Sequence, residues 1–570
     1  MFVVFEGIDG SGKTTVSNLV AERLRSRGVA VTHLRAGGRF ASAVSEAIRD
    51  LGRDARNLDL CAEAEFLLYV ARDVQLIQEV LRPALAEGAV VIADRFLYTA
   101  EVLGRYGRHL PASFTAPVLQ AAAGALQPDL VALIDVDPAL ARARRKAAKL
   151  AIDDQRAPSR KGLAGVGLQH RVRDGYRQLA AADPQRWVVV DNEAALEDVV
   201  ARLTDLVDDA QRSNVSAALK RFRTPAPTAD AQPSLAAAKA AATTVEEALS
   251  EFLRRVDARA GGEPQVAAHL LGGLAGGAVD PRRRSLAATA PRAVLAGLQG
   301  LDDDVSWALR AELATREPSA VALSLTGLPG TSARAQAMRQ QLEQAAPAQV
   351  AQSLAALDDE GAWSLRGRLF SQAPDAVMIS LAYLDDARAW SLRQRWLEQF
   401  GAQIAIRYAA AWACAKSVTG LDDERAWGLR RQARQAAPVA ALASLAGAVG
   451  ERAWRWRSKG LLRAPKIVMN TLFALRHPQA WELRRAVAGD CKEALDSVFD
   501  LDDAAAWDLR ESHCDRWPST VVKSLGTLAL LARGRALVER QLAHHPDNLS
   551  LLKHASAVAL GVVGGTPPKE

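Results

Sequence analysis

Cysteine and long apolar runs are scarce in this 570-residue chain. Its four cysteines lie far apart and form no C-x-x-C motif or Cys/His cluster, so neither a disulfide framework nor a structural metal site is expected. No run approaches the ~18 apolar residues that a membrane-spanning helix needs. The first predicted strand begins at Phe2, and no secretory signal can be drawn before it. We expect a cytoplasmic protein with no membrane partner.

The excess of one charge over the other is also small. Lys and Arg number 72 against 65 Asp and Glu, which gives a formal net charge of +7. A basic balance suits phosphate or nucleic-acid ligands, but the basic residues are interspersed with acids, and a generally Arg-rich composition explains most of it. The length exceeds what one hydrophobic core usually supports, so two or more domains are expected.

The N-terminus carries the most specific motif. Residues 2–5 form a short apolar strand candidate, residues 7–14 fit G-x-x-x-x-G-K-[ST], and residues 16–27 have the pattern of an amphipathic helix. Glycines at this spacing let backbone N–H groups turn inward onto a phosphate, and the helix adds the positive end of its dipole. This context predicts a P-loop that binds a phosphorylated ligand and Mg²⁺. Its predicted phosphate-binding residues are Gly7, Asp9, Gly10, Ser11, Gly12, Lys13, Thr14 and Thr15.

Four further strand candidates alternate with helical stretches after the P-loop. They cover residues 30–34, 89–93, 130–136 and 187–190. Five strands separated by helices predict a parallel sheet with helices on both faces and ligands at its carboxyl edge. Asp94 and Arg95 directly follow one strand, where a carboxylate can complete a Mg²⁺ shell and a guanidinium can clamp a second phosphate. We therefore predict Lys13, Asp94 and Arg95 as catalytic residues, and Thr14 and Asp94 as metal ligands.

Four segments within residues 1–205 resemble the thymidylate kinase family of P-loop nucleoside monophosphate kinases. They are residues 5–15 (FEGIDGSGKTT), residues 94–96 (DRF, where the family has Asp-Arg-Tyr), residues 133–138 (LIDVDP) and residues 170–176 (HRVRDGY), in the family's order and approximate spacing. The resemblance implies Mg²⁺-dependent transfer of the γ-phosphoryl group of ATP to a deoxynucleoside monophosphate, as in nucleotide biosynthesis. It does not extend beyond residue 205.

The same resemblance implies roles for residues that bind the acceptor nucleotide. Asp9 would lie near the acceptor sugar, and Arg95 would hold the acceptor phosphate. Arg39 and Arg72 fall near positions where relatives place further acceptor-binding arginines. Asp73 follows Arg72, however, and the spacing to later helix residues is one off the common bacterial pattern.

Two loops depart from the family pattern. Residues 35–39 lack the family's Glu-Pro pair, and Val102-Leu103-Gly104 replaces the Ala-Tyr-Gln whose Gln helps to read thymine. A site without that polar group loses the discrimination that a buried hydrogen bond supplies. The resemblance therefore implies phosphoryl transfer but not specificity for thymine.

A basic, glycine-bearing segment spans residues 139–167. It could close over the phosphates as a lid that excludes water and stabilises charge in transit. The alternative is a solvated basic helix followed by a loose loop. The candidate lid residues are Arg142, Arg144, Arg145, Arg156 and Arg160, and the sequence singles out none of them.

The second half of the chain repeats itself. After a predicted linker at residues 211–245, rich in Ala, Pro and small polar residues, residues 246–560 repeat Leu-Asp-Asp followed by Trp-x-Leu-Arg, with several tryptophans 27 residues apart. Prolines suit the first turn of one helix, and the Asp pair suits the cap of a second helix whose basic end matches its dipole. The pattern predicts an all-α solenoid of about nine to ten helical pairs, similar to HEAT arrays in architecture only. Residues 561–570 are predicted to be a flexible tail.

Aromatic residues of the array invite two interpretations. We interpret the repeated tryptophans as packing between helix pairs rather than as platforms for bases. The stretch Arg452–Lys466 mixes basic and aromatic residues and could grip nucleic acid, although a solvated helix face is the simpler interpretation.

Three functions remain open at this point. The first is a nucleoside monophosphate kinase for dTMP or a related substrate, with a helical domain that binds a protein partner or regulates access. The second is a nucleotide switch or NTPase whose array grips a protein or nucleic acid. The third is a kinase for another phosphorylated acceptor. The intact Lys13, Thr14, Asp94 and Arg95 favour the first, whereas the altered acceptor loops and the large array favour the second.

Overall fold

The computed structural model describes residues 1–54, 56–57, 59–151, 166–193, 195–223 and 242–563. The chain divides into two compact units, one built on a β-sheet and one that contains the helices from Val245 onward. No helix among the described residues is long and apolar enough to cross a membrane.

The first unit is built on five parallel strands, as predicted. They are β1 (Phe2–Glu6), β2 (Val31–His33), β3 (Val90–Asp94), β4 (Leu130–Asp135) and β5 (Trp187–Asp191). The strand order is β2-β3-β1-β4-β5. In this register Phe5 lies beside Asp94, so the P-loop and Asp94 emerge together at the carboxyl edge of the two central strands. Continuous apolar burial of β1 and β4 fits a sheet that is covered on both faces.

Helices surround this sheet. They are α1 (Lys13–Ser26), α2 (Ala43–Arg53), α3 (Ala62–Leu76), α4 (Arg82–Ala86), α5 (Leu97–Glu101), α6 (Ala112–Ala123), α7 (Pro138–Ala151), α8 (Val166–Ala182), α9 (Leu196–Arg212) and α10 (Val215–Arg223). The apolar stripe of α1 packs with β1 and α9 into one core through Val16, Val20 and Leu24. The first residues of the predicted linker are helical. Residues 211–212 end α9, and α10 packs on α9. The rest of the proposed linker, residues 224–241, lies outside the described residues.

The second unit is all helical, as predicted, and is built of two rows. After α11 (Val245–Ala260), the first helices of the pairs form a row that we call the inner row: α12 (Pro264–Leu270), α14 (Pro291–Ala296), α16 (Pro318–Ser324), α18 (Pro347–Ser353), α20 (Pro374–Ser380), α22 (Tyr408–Ser417), α24 (Pro438–Ala443), α26 (Pro465–Asn470), α28 (Glu493–Asp496), α30 (Pro518–Ser524) and α32 (Leu549–Ala559). The second helices form the outer row: α13 (Asp280–Ala287), α15 (Asp304–Leu313), α17 (Ala333–Leu342), α19 (Glu360–Leu369), α21 (Ala387–Phe400), α23 (Glu424–Ala433), α25 (Glu451–Leu461), α27 (Pro478–Val487), α29 (Ala504–Ser512) and α31 (Ala532–His544).

The two residues of the repeated Asp-Asp pair form two different hydrogen bonds within the repeat. In the unit of α15, the side chain of Asp303 accepts from the backbone N–H of Ser306 and caps the helix, as the sequence predicted. Asp302 accepts a hydrogen bond from the indole N–H of Trp307 at 2.6 Å. The same two bonds recur in α21 and α23. Both carboxylates are thus engaged within their own repeat.

The arginine that closes each Trp-x-Leu-Arg phrase is buried. Six arginines close such a phrase, and Arg283, Arg339 and Arg457 occupy the equivalent position of α13, α17 and α25 without it. All nine are at most 2% exposed, namely Arg283, Arg310, Arg339, Arg366, Arg393, Arg430, Arg457, Arg484 and Arg510. In a typical unit, Arg310 donates to the carbonyls of Leu298 and Leu301 and to the hydroxyl of Ser324, at 2.8, 2.9 and 3.1 Å. Its guanidinium thereby joins the C-terminal ends of two neighbouring inner helices, where carbonyl groups concentrate negative charge. The sequence predicted a basic helix end but not its burial.

The tryptophans pack between helices, as predicted. Trp307, Trp363 and Trp427 are at most 8% exposed, and the guanidinium of each repeat's buried arginine lies over the ring of its own tryptophan. The stretch 452–466 follows the same rule. Arg457 is one of the buried arginines and Trp454 is 4% exposed, so part of this stretch is built into the repeat.

The array has no free end in its inner row. Each inner helix packs on the next from α12 to α32, and α11 packs on both α32 and α12. Arg255 of α11 donates to the carbonyl of Asp547 at 2.9 Å, and Glu246 pairs with Arg535 of α31 at 2.8 Å. The outer helices pack mainly on inner helices rather than on each other, which fits the wider circumference of an outer row. The predicted solenoid is therefore closed into a ring.

We expect the substitution Arg366→Met to destabilise the helical unit. Arg366 donates to the Leu354 carbonyl at 2.7 Å and to the Ser380 hydroxyl at 3.0 Å, and its loss removes these charge-assisted hydrogen bonds from the interior. The expected loss of unfolding free energy is about 3 kcal/mol or more. Urea unfolding followed by tryptophan fluorescence reports on this unit, because eleven of the twelve tryptophans lie in it.

The matched control is Arg368→Met on the same helix. Arg368 is half-exposed and pairs with Glu343 on the surface, so its loss should cost less than about 1 kcal/mol. Equal effects of the two substitutions would contradict the structural role of the buried arginine.

Candidate active site

The P-loop lies between β1 and α1 and its backbone has the expected shape. Gly7, Gly10 and Gly12 have φ values of 147°, 90° and 92°, a region that favours glycine. A Cβ at Gly10 would lie 2.2 Å from the Ala141 carbonyl, so the lid helix α7 packs directly on the loop. The Lys13 ammonium is buried and donates to the carbonyl of Ile8 at 3.1 Å, which holds it inside the curve of the loop.

Asp94 is a buried carboxylate at this edge of the sheet, and several cationic side chains surround it. Its Oδ2 accepts from the Thr14 hydroxyl at 2.6 Å and from the Arg35 guanidinium at 2.9 Å. Burial raises the pKa of Asp94, but the charges of Lys13 and Arg35, with that of Arg95, outweigh it and hold the pKa below its ordinary value. The other carboxylate oxygen, Oδ1, is buried and accepts no hydrogen bond from the described residues. An ionised carboxylate beside a hydroxyl is a donor set that suits Mg²⁺.

Arg95 occupies a strained position between the two halves of the site. Its φ is 82°, which is uncommon for a residue with a side chain. The guanidinium pairs with Asp9 and donates to the Thr99 hydroxyl at 3.1 Å and the Tyr176 hydroxyl at 3.3 Å. Burial lowers the pKa of Arg95, but the acidic groups around it, Asp9 first and Glu6 among the others, raise it more, so the group stays cationic. The bonds to Asp9, Thr99 and Tyr176 stabilise this backbone conformation and fix the direction of the guanidinium.

Glu6 anchors that network, and sequence reasoning missed it. Its carboxylate is fully buried and accepts from the Phe96 backbone at 2.9 Å and from the hydroxyls of Thr99 and Tyr176 at 2.8 and 2.7 Å. Burial raises the pKa of Glu6, and the same burial raises the pKa of Tyr176 well above its ordinary value. The only sequence signal was a single acidic residue at the end of the apolar strand β1.

A cleft opens beside Arg95. Its lining residues are Asp9, Arg35, Phe40, Ile48, Arg49, Gly52, Arg53, Leu68, Tyr69, Arg72, Arg95 and Thr99. The predicted acceptor residues Asp9, Arg72 and Arg95 are thus brought together. Arg39 is exposed and does not line the cleft, whereas Arg35 and Arg49, which the sequence did not single out, do.

Arg72 is fixed from three sides. Its guanidinium lies 5.0 Å from the ring of Phe40 and 4.9 Å from that of Tyr69, and it pairs with Asp73 at 2.6 Å. A π-helical turn at Ile77–Leu81 follows directly.

The lid helix α7 brings one basic side chain onto the P-loop. The Cγ of Arg145 lies 3.0 Å from the position that a Cβ of Gly10 would take. Partial desolvation lowers the pKa of Arg145, and the charge of Asp9 offsets only part of that effect. Arg144 turns away and donates to the Asn192 carbonyl at 3.0 Å, while Arg142 is half-buried. The other two lid candidates, Arg156 and Arg160, lie outside the described residues.

The remaining P-loop residues point in different directions. Ser11 is buried and its carbonyl accepts from the Asn192 side chain at 2.6 Å, which ties the loop to the end of β5. Thr15 is exposed and contributes its position in α1 rather than a buried contact.

A phosphate loop, a buried carboxylate next to its Thr hydroxyl and an arginine-lined cleft on a five-stranded parallel sheet define a P-loop phosphotransferase. Comparison with known proteins narrows this class. A family profile described as "Thymidylate kinase" matches residues 5–203. The chain belongs to the thymidylate kinase family, and this part of it is a nucleoside monophosphate kinase.

Similar proteins are covered almost completely by this part of the chain. The thymidylate kinase of Prosthecochloris aestuarii is 33% identical over 210 residues, which are 36% of this chain and 92% of that protein. The thymidylate kinase of Trichlorobacter lovleyi is 36% identical over 211 residues, 36% of this chain and 96% of that protein. A crystal structure of the thymidylate kinase from Ehrlichia chaffeensis aligns with 36% of this chain and 98% of its own at 25% identity, with a TM-score of 0.28.

We expect the first unit to lose stability as the pH falls from 6.5 to 4. His33 of β2 accepts from the Arg35 backbone at Nδ1 and lies 3.1 Å from the Ser17 hydroxyl at Nε2, so it is held neutral. Burial lowers the pKa of His33 from 6.5 to about 4. In this window the unfolded chain takes up a proton that the folded chain refuses, which costs up to about 3 kcal/mol.

Hydrogen exchange of β2, corrected for the intrinsic rate at each pH, measures this effect. In the variant His33→Asn, whose amide oxygen can still accept from Arg35, the protection of β2 should fall less steeply between pH 6.5 and 4. The same pH dependence in both proteins would exclude His33 as its source.

Proposed function

We propose that the first unit transfers the γ-phosphoryl group of ATP to a deoxynucleoside monophosphate with Mg²⁺, and that dTMP is its primary acceptor. The observation that supports this most strongly is the placement of Asp94. It lies between Thr14 of the P-loop and the arginine-lined cleft, so the donor and acceptor phosphates would meet beside it. Mg²⁺ would supply neutralisation of the charge that develops on the phosphoryl group.

Each residue of the site would have a role in phosphoryl transfer that follows from its position. The P-loop backbone and Lys13 would hold the β- and γ-phosphates, and Thr14 and Asp94 would hold Mg²⁺. Arg95, fixed by Asp9 and Tyr176, would hold the acceptor phosphate in line with the transferred group. Because its direction is already set in the fold, little reorganisation is required when the acceptor binds.

Specificity for the base is the part of the family pattern that the site supports least. Gly104 packs against Phe66, and a Cβ at Gly104 would lie 3.0 Å from its ring, so a longer polar side chain has no room there. Arg72 and Tyr69 are among the polar side chains that line the cleft. We propose that the enzyme selects its acceptor mainly by the phosphate and by ring shape.

A panel of deoxynucleoside monophosphates tests this function. With full-length protein, ATP and Mg²⁺, we expect ADP and the acceptor diphosphate in equal amounts, fastest with dTMP. The preference for dTMP over the other acceptors should be smaller than the roughly 10⁴-fold that a base-reading hydrogen bond provides. The variant Lys13→Ala should be at least about 100-fold slower, because it loses a charge on the transferred group. ADP without any diphosphate would contradict the proposal and indicate an NTPase.

Arg145 is the lid residue that we propose to act in the transfer. The substitution Arg145→Met should lower kcat by about 10³-fold with little change in KM, because a lid arginine acts on the charge of the transition state. Lys149→Met on the same helix, at an exposed position, is the matched control and should leave kcat unchanged. Equal activity of Arg145→Met and the wild type would remove Arg145 from the mechanism.

A further inference from the structure

The inner and outer rows of the helical unit differ in which basic residue they contain, lysine or arginine. Residues 242–563 contain 33 arginines and only six lysines. Five of the lysines belong to the inner row, namely Lys416 in α22, Lys466 in α26, Lys492 just before α28, Lys523 in α30 and Lys553 in α32. The sixth, Lys459, lies in the outer helix α25 and is exposed. Among the inner helices from α12 to α32, Arg292 is the only arginine, and it pairs with Glu317 at 2.8 Å.

The lysines of α28 and α30 are drawn together by one buried acid. Asp496 is 5% exposed, and its two carboxylate oxygens accept from the ammonium groups of Lys492 and Lys523, at 2.8 and 2.7 Å. Burial raises the pKa of Asp496, but these two charges lower it far more, so the acid stays ionised. Two ammonium groups on neighbouring helices are therefore held close together by their shared carboxylate.

The last helix adds to this group. His554 of α32 has a pKa lowered to about 3, first by burial and then by the positive charges of Lys523 and Lys553. It is therefore neutral at physiological pH and can donate or accept a hydrogen bond. Helix α32 packs against both α30 and α11, so Lys553 lies on the helix next to the one that carries Lys523.

The helices from α26 to α32 of the inner row carry more positive than negative charge. Four lysines, Lys466, Lys492, Lys523 and Lys553, stand against two acids, Glu493 and Asp496, which leaves a net charge of +2. Each ammonium group has three N–H donors, so the bond to Asp496 leaves Lys492 and Lys523 with further donors. Ammonium groups on flexible stems suit phosphate oxygens as point charges, without the fixed planar geometry that a guanidinium requires.

We propose that the inner row between α26 and α32 is a binding site for a multiply charged phosphate anion, with Lys492, Lys523 and Lys553 as its contacting groups. The buried arginines maintain the repeat, whereas these lysines interrupt its regularity in consecutive units. The site is separate from the P-loop and does not depend on the function proposed for the first unit.

Inorganic tripolyphosphate is the probe, measured by isothermal titration calorimetry at low salt. The full-length variant Lys13→Ala is used as the background, because it weakens binding of the probe at the P-loop. We expect saturable binding that weakens at least about tenfold in Lys523→Gln/Lys553→Gln, since two charge-assisted hydrogen bonds are lost. Lys459→Gln is the matched control and should bind as the background does. Lys523→Arg/Lys553→Arg keeps the charges and should retain most of the affinity.

Each other outcome would overturn the proposal. Absence of binding in the Lys13→Ala background, or equal affinity in the double Gln variant, would show that these lysines form no anion site. Binding of a short single-stranded oligonucleotide without binding of tripolyphosphate would assign the surface to nucleic acid instead. If the double variant does not fold, Lys553→Gln alone decides, because the ion pairs of Asp496 with Lys492 and Lys523 stay intact in that variant.

Discussion

Every buried charge in this protein has to be compensated inside the fold, and both units are organised around that constraint. An unpaired ion in the interior costs far more than a typical domain can supply. In the first unit the compensation is mutual, because Asp94 and Glu6 lie beneath the guanidinium groups of Arg35 and Arg95. In the second unit it comes largely from the backbone, because the buried arginines donate to carbonyls at helix ends.

The two solutions have different consequences. A carboxylate that leaves one oxygen without a partner, as Asp94 does, keeps capacity for a ligand and is suited to chemistry. A guanidinium that donates to carbonyls at two helix ends holds those ends together, even though in five of the repeats its Nη1 has no hydrogen-bond partner among the described residues. For this reason arginine is a candidate functional residue in the P-loop unit, whereas the buried arginines of the repeats have a structural role.

The sequence predicted the strand-to-loop geometry of the first unit because that geometry is local. Gly7 to Thr14 specify their backbone by residue type, and the position of Asp94 follows from the rule that parallel strands share a carboxyl edge. Glu6, Tyr176 and Arg49 were missed because their roles depend on packing between elements far apart in the chain. Arg39 was predicted in the acceptor site because it falls near a position where relatives have an acceptor-binding arginine. In the structure Arg39 is exposed to solvent, whereas Arg35 donates to Asp94.

In the helical unit, too, the features that depend on nearby residues could be predicted, and the feature that depends on the whole array could not. Its period, its caps and the packing role of its tryptophans could be predicted, because each is set within about 30 residues. Closure could not, since it depends on the small rotation between successive pairs, which adds up over the whole array and has no sequence signature of its own. The residues that repeat build the ring, so the specific function of this unit has to reside in what does not repeat. The lysines of the inner row are such residues, because no rule of the repeat requires an ammonium group at their positions.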